Sequence, residues 1–187
     1  KYVSVKDTLM KFKNLACINI QSVELTKKDF KLHDYRKLKV LEIDNNINKE
    51  MSRSICKCKN LELLFVTGDK ISKLPRCLSK LKKLTHIAVT VNDDKMTETI
   101  SKIKTLKFIY LSSFDREFSI HEDVGLLPKL ERVDLHGKIS KLPDSFSNLK
   151  LTGLDMLDTR ISTMPKDFDY SHLKYISFSW RMSKEEC

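Results

Sequence analysis

Two groups of residues in this chain have the types and spacing to do chemistry. The first is Cys56-Lys57-Cys58, the only close cysteine pair among five cysteines. Thiolates two apart can ligate a metal or cycle as a redox pair, but a metal site needs a second pair or histidines at ligand spacing. Neither follows: Cys17 and Cys77 are isolated and Cys187 is terminal. The second group is His86, Asp134 and His136, which could pair a base with a carboxylate. A nucleophile within hydrogen-bond reach and a water-excluding pocket would also be required. No phosphate-binding, zinc-protease, nucleophile-elbow or kinase signature occurs anywhere. The expectation is a chain without catalysis, cofactor or metal, whose cysteines are small buried or surface residues with no chemistry.

What positions these residues is a repeat. Leu recurs at Leu15, Leu38, Leu61, Leu84, Leu106, Leu130, Leu151 and Leu173, at intervals of 21 to 24 residues. Three residues after each stands Ile18, Leu41, Leu64, Ile87, Ile109, Val133, Leu154 or Ile176. Two further on stands Ile20, Ile43, Val66, Val89, Leu111, Leu135, Met156 or Phe178. In a chain 41% hydrophobic, chance agreement at all these positions is on the order of 10⁻⁹. Alternation around the second and third apolar residues predicts a short strand buried on one side. One such unit cannot make a core, so the units must stack, with strands in parallel.

The frame L-x-x-L-x-L resembles the leucine-rich-repeat family over roughly residues 9 to 180. The segments Ile71-Ser-Lys-Leu-Pro75, Ile139-Ser-Lys-Leu-Pro143 and Ile161-Ser-Thr-Met-Pro165 resemble the second half of its intracellular type, found in Ras-pathway scaffolds and plant immune receptors. The resemblance implies an α/β repeat solenoid, a curved horseshoe with a parallel concave sheet and an irregular, 3₁₀ or helical convex side. Met51 to Lys59 and Met96 to Lys104 carry apolar residues at helical spacing. The prolines sit where a turn or helix start tolerates a missing N–H.

The family usually places Asn eight residues after the first leucine, where its amide satisfies loop backbone. Here Asn46, Asp69, Asn92 and Thr159 can serve, whereas Val23, Phe114, Lys138 and Arg181 cannot do so in the same way. Irregular loops are therefore expected in the fifth and sixth units, with a deletion at Gly137-Lys138. The whole chain, 1–187, reads as one domain. Residues 1–14 end a preceding repeat or form a cap, 15–180 hold eight repeats and 181–187 form a tail. The first 35 residues and Trp180 onward are the expected caps. The start at Lys1 rather than Met reads as a fragment or processed form.

No run of 18 apolar residues marks a transmembrane helix. The apparent lack of paired cysteines and of any Asn-x-Ser/Thr sequon favours a reducing, intracellular (cytoplasmic) location. Residues flanking the buried strand positions should project from the concave sheet. Leu63, Phe65, Ala88, Phe108 and Tyr110 then form an apolar, aromatic centre with His86 beside it. Glu42 and Asp44 lie to one side and Arg132, Asp134 and His136 to the other. Aromatic centres rimmed by charge suit a protein partner. The net charge of +10 opens a rival reading, docking on RNA or another anionic assembly. Its lysines, however, collect in return segments (Lys27, Lys28, Lys31; Lys80, Lys82, Lys83; Lys102, Lys104, Lys107), which a solvated face would also show. A further alternative is the recognition domain of a larger immune receptor or ubiquitin ligase.

Overall fold

A computed structural model describes residues 12, 14–20, 32, 35–44, 53–68, 71 and 73–178. Each described frame yields one strand: β1 (Cys17–Ile20), β2 (Val40–Asp44), β3 (Leu63–Thr67), β4 (His86–Thr90), β5 (Phe108–Ser112), β6 (Arg132–His136), β7 (Gly153–Met156) and β8 (Tyr175–Phe178). They form one parallel sheet in chain order, β1 to β8. Register is set by the frame: Leu41 lies beside Leu64, Ile87 beside Ile109, Val133 beside Leu154. A one-residue slip would turn every apolar side chain to the wrong face. Stacking buries Leu38, Leu41, Leu61, Leu64, Leu84 and Leu106 completely, each contributing about 1.5–3 kcal/mol of transfer free energy.

The return segments cover the other side of the core. Three 3₁₀ turns, Arg76–Lys80, Glu122–Leu126 and Asp144–Asn148, bury Leu78, Val124 and Phe146. Pro75 and Pro143 precede two of them in extended backbone, and their carbonyls accept the N–H of Leu78 and Phe146 at 3.0 Å. Pro165 accepts from Phe168 at 3.1 Å in the same way. No proline N–H was needed at any of these starts. In the fourth unit the return is a helix, α1 (Lys95–Ile100), because Met96 and Ile100 fall on one face and, with Ile103 just past its end, are fully buried. The segment from Met51 is helical over the described residues 53–55.

Asn92 performs the expected family role. Its amide donates to the carbonyls of Gly68 and Ile71 in the preceding unit, both at 2.8 Å. Thr159 turns back on its own loop instead, donating to the Met156 carbonyl at 2.9 Å. The fifth unit is irregular as expected: residues 113–121 form no element, Phe114 is exposed and Phe118 is buried. Ser113 joins this loop to the next, its hydroxyl accepting the Lys138 N–H at 3.2 Å. Gly137 closes the shortened sixth unit at φ 94°, and a Cβ there would lie 2.3 Å from the Ser113 carbonyl oxygen. Asn46, Asp69, Val23, Arg181, Trp180 and both expected end caps fall wholly or mainly outside the described residues.

Two expectations are corrected. The cysteines are not all without chemistry: Cys56 and Cys77 form a disulfide between adjacent units, with Cα atoms 5.6 Å apart. Cys58 does remain a buried thiol, pushed up to about 12 by desolvation, and Cys17 is free and exposed. Secondly, the last frame is not fully core. Ile176 and Phe178 are 41% and 55% exposed, because no described strand packs beyond β8.

Candidate recognition face

Strand alternation turns one set of side chains into the core and the other onto the open face of the sheet. Three rows cross that face. One runs Val40, Leu63, His86, Phe108, Arg132, Gly153, Tyr175, and the next Asn19, Glu42, Phe65, Ala88, Tyr110, Asp134, Asp155. The third places Asp44 beside Thr67, then Thr90 beside Ser112 and His136. All eleven expected face residues thus lie on β2 to β6 and on one side of the sheet.

They are not loose. The apolar centre, Leu63, Phe65, Ala88, Phe108 and Tyr110, spans β3 to β5; Ala88 is buried and the other four half-buried. His86 sits against Phe108 with ring centroids 5.8 Å apart, while Tyr110 stacks on His136 at 5.2 Å. The anticipated contact between Asp134 and His136 is replaced by a stronger one. Arg132 donates to both Asp134 oxygens, at 2.8 and 2.9 Å. This hydrogen-bonded carboxylate raises the guanidinium pKa above its ordinary value. On the acidic flank, Asn19 donates to Glu42 at 2.6 Å and Thr67 to Asp44 at 3.5 Å.

Three residues that strand alternation also places on this face, but outside the expected binding site, complete it: Gly153, Asp155 and Tyr175. Gly153 lies between Arg132 and Tyr175 in its row, and a Cβ there would come 3.2 Å from Arg132 Cγ and Cδ. Without that Cβ, Arg132 lies across β7 and reaches the Tyr175 ring at 5.3 Å, with the Phe108 ring 5.6 Å on its other side. Tyr175 in turn donates to Asp155 at 3.1 Å. A cation held between two aromatic rings is pre-organised, its own carboxylate partner in place. The available signal was a lone glycine in a row otherwise filled by side chains.

The site is an open surface. Among the described residues, no three His, Cys, Asp or Glu side chains come together as a metal group. His86 and His136 contact different aromatic neighbours rather than a common substrate position. Nor does any described helix have the length and apolarity to cross a membrane.

Eight in-register parallel strands with short returns define a leucine-rich-repeat fold. No family model matches the chain. It is 25% identical, over 100 residues, to the disease resistance protein RPM1 of Arabidopsis thaliana, covering 51% of this chain and 11% of that protein. The chain therefore spans about a tenth of that relative's length. Among solved structures, internalin C2 of Listeria monocytogenes is similar with a TM-score of 0.61 at 16% identity, covering 88% of this chain and 80% of that one. A second Listeria monocytogenes internalin, inlF, gives 0.57 at 17%, covering 79% and 49%. A leucine-rich-repeat protein of Leptospira interrogans gives 0.54 at 15%, covering 95% and 59%. These likenesses concern the fold.

Proposed function

We propose that the chain is a non-catalytic recognition module that binds a protein partner on the open, concave face of its sheet. The observation that carries this reading is the half-buried apolar cluster of Leu63 and Phe65 on β3 with Phe108 and Tyr110 on β5, joined across β4 by the buried Ala88. The Phe108 and Tyr110 rings are held by neighbours, so a partner can bury them with little further ordering of the face. Glu42 and Asp44 on one flank, with Arg132, Asp134 and His136 on the other, would select a partner of complementary charge. The whole chain acts as one such domain, by itself or as the recognition part of a larger receptor or ligase.

The intracellular expectation loses one of its two supports. A disulfide between adjacent repeats is at home in an oxidising compartment, whereas the missing sequon is unchanged. Thiol alkylation of protein taken from its native source, with and without reduction, decides the compartment. Blocked Cys56 and Cys77 place it in an oxidising one, and freely alkylated thiols keep the cytoplasmic reading.

The binding face is tested by Phe65→Ala and Tyr110→Ala. Each should weaken partner binding by about 2 kcal/mol while circular dichroism and thermal unfolding stay close to wild type. Unchanged affinity in both variants would remove the open-face reading.

A further inference from the structure

Independently of the open face, one edge of the solenoid carries a cation lattice. The first leucine of each frame closes a tight turn: its N–H bonds to the carbonyl three residues back in Leu38, Leu61, Leu84, Leu106 and Leu130. Because this turn is the same every time, residues at equal distance before the leucine stack in register, about 4.8 Å apart along the sheet. Two residues before it stand Arg36, Lys59, Lys82 and Lys104, all exposed. Four before it stand Lys57, Lys80 and Lys102, also exposed. The nearby acids are already occupied: Glu62 pairs with Lys39, Glu98 with Lys102 and Glu131 with Lys107. Among the described residues, no ion pair engages Lys57, Lys59, Lys80 or Lys82.

The next unit breaks the row with a residue of opposite character. Four before Leu130 stands Leu126, 58% exposed, where three successive units carry lysine. It lines a surface depression together with Pro128, the Lys107–Glu131 ion pair, and Lys129 and Lys150. An apolar side chain held out among cations has no use against a phosphodiester backbone. No tyrosine, phenylalanine or tryptophan stands two or four residues before Leu38, Leu61, Leu84, Leu106 or Leu130, so bases find no ring within these rows to stack on. A bilayer leaflet of anionic phospholipid satisfies both features. Its headgroups neutralise the lysine rows, and the acyl boundary takes up the leucine, giving the two signals that peripheral membrane binding requires.

We propose that this edge docks the protein on anionic phospholipid membranes, with Lys57, Lys59, Lys80 and Lys82 facing headgroups and Leu126 as the apolar anchor. The test is sedimentation of the full chain with phosphatidylcholine vesicles, with and without phosphatidylserine, at low and high salt. Wild type should bind only the phosphatidylserine vesicles and be released by salt. Leu126→Ser should weaken binding about tenfold, and Lys59→Glu/Lys80→Glu/Lys82→Glu by on the order of a hundredfold. Both variants change exposed residues, and their thermal unfolding should match wild type. Equal binding to neutral vesicles, or binding indifferent to Leu126→Ser, overturns the proposal. So does failure to bind vesicles while duplex RNA is bound through the same lysines, which would make the edge a nucleic-acid contact.

Discussion

Asn92 makes two hydrogen bonds with a single amide nitrogen, to carbonyls on both sides of the preceding loop. Asn92→Ala orphans both carbonyls, and the expected loss is about 1–3 kcal/mol in chemical denaturation. A variant as stable as wild type would show that water replaces the amide. Gly137→Ala should cost about 1–3 kcal/mol for a different reason: φ 94° is left-handed backbone, and the new methyl meets the Ser113 carbonyl. Cys58 adds a pH dependence. Burial raises its folded pKa to about 12 from 9.0, so the unfolded chain ionises first as pH rises. Stability should therefore fall from pH 9 upward more steeply in wild type than in Cys58→Ala, and parallel curves would contradict the burial. Asn92 was legible beforehand because its role depends on its place in the frame. The link from Arg132 to Tyr175 was not, because it skips a strand and depends on an absent Cβ at Gly153.

The strands could be read from the sequence because their determinants are local. Every L-x-x-L-x-L frame within the described residues became a strand with the expected face, and Leu, Ile and Val at those positions had one way to be buried. The returns were less legible, since they need only fill space behind the sheet. The fourth unit does so with α1, while four other described returns use 3₁₀ turns. This variability also hid the disulfide. Cys56 follows Leu38 at a greater distance than Cys77 follows Leu61, so the frame does not align them although the folded returns do. Twenty-one residues separate the two cysteines. Reduction should lower stability by about 3 kcal/mol on the loop-entropy account. The measurement is urea unfolding with and without reductant, beside a Cys56→Ser/Cys77→Ser variant. Identical midpoints in all three would mean that the bond contributes nothing.

At the scale of the molecule, the solenoid separates its surfaces. The core is one continuous stack, the open face presents fixed aromatic and charged rows, and the turn edge carries cations. Such a chain needs no deep pocket, because each unit adds a strip to a shared surface. The exposed Ile176 and Phe178 mark the C-terminal end of the described stack rather than part of the recognition face, since both lie on the core side of β8. The central claim is that the open face, and not the basic edge, recognises a protein. Its most direct measurement is partner capture by wild type, Phe65→Ala/Tyr110→Ala and Lys80→Glu/Lys82→Glu/Lys83→Glu, each at low and high salt with thermal unfolding as the fold control. We expect a protein partner that survives high salt, is retained by the lysine variant and is lost from the aromatic one. Capture that disappears with the lysines and with salt, while the aromatic variant binds normally, would contradict the claim.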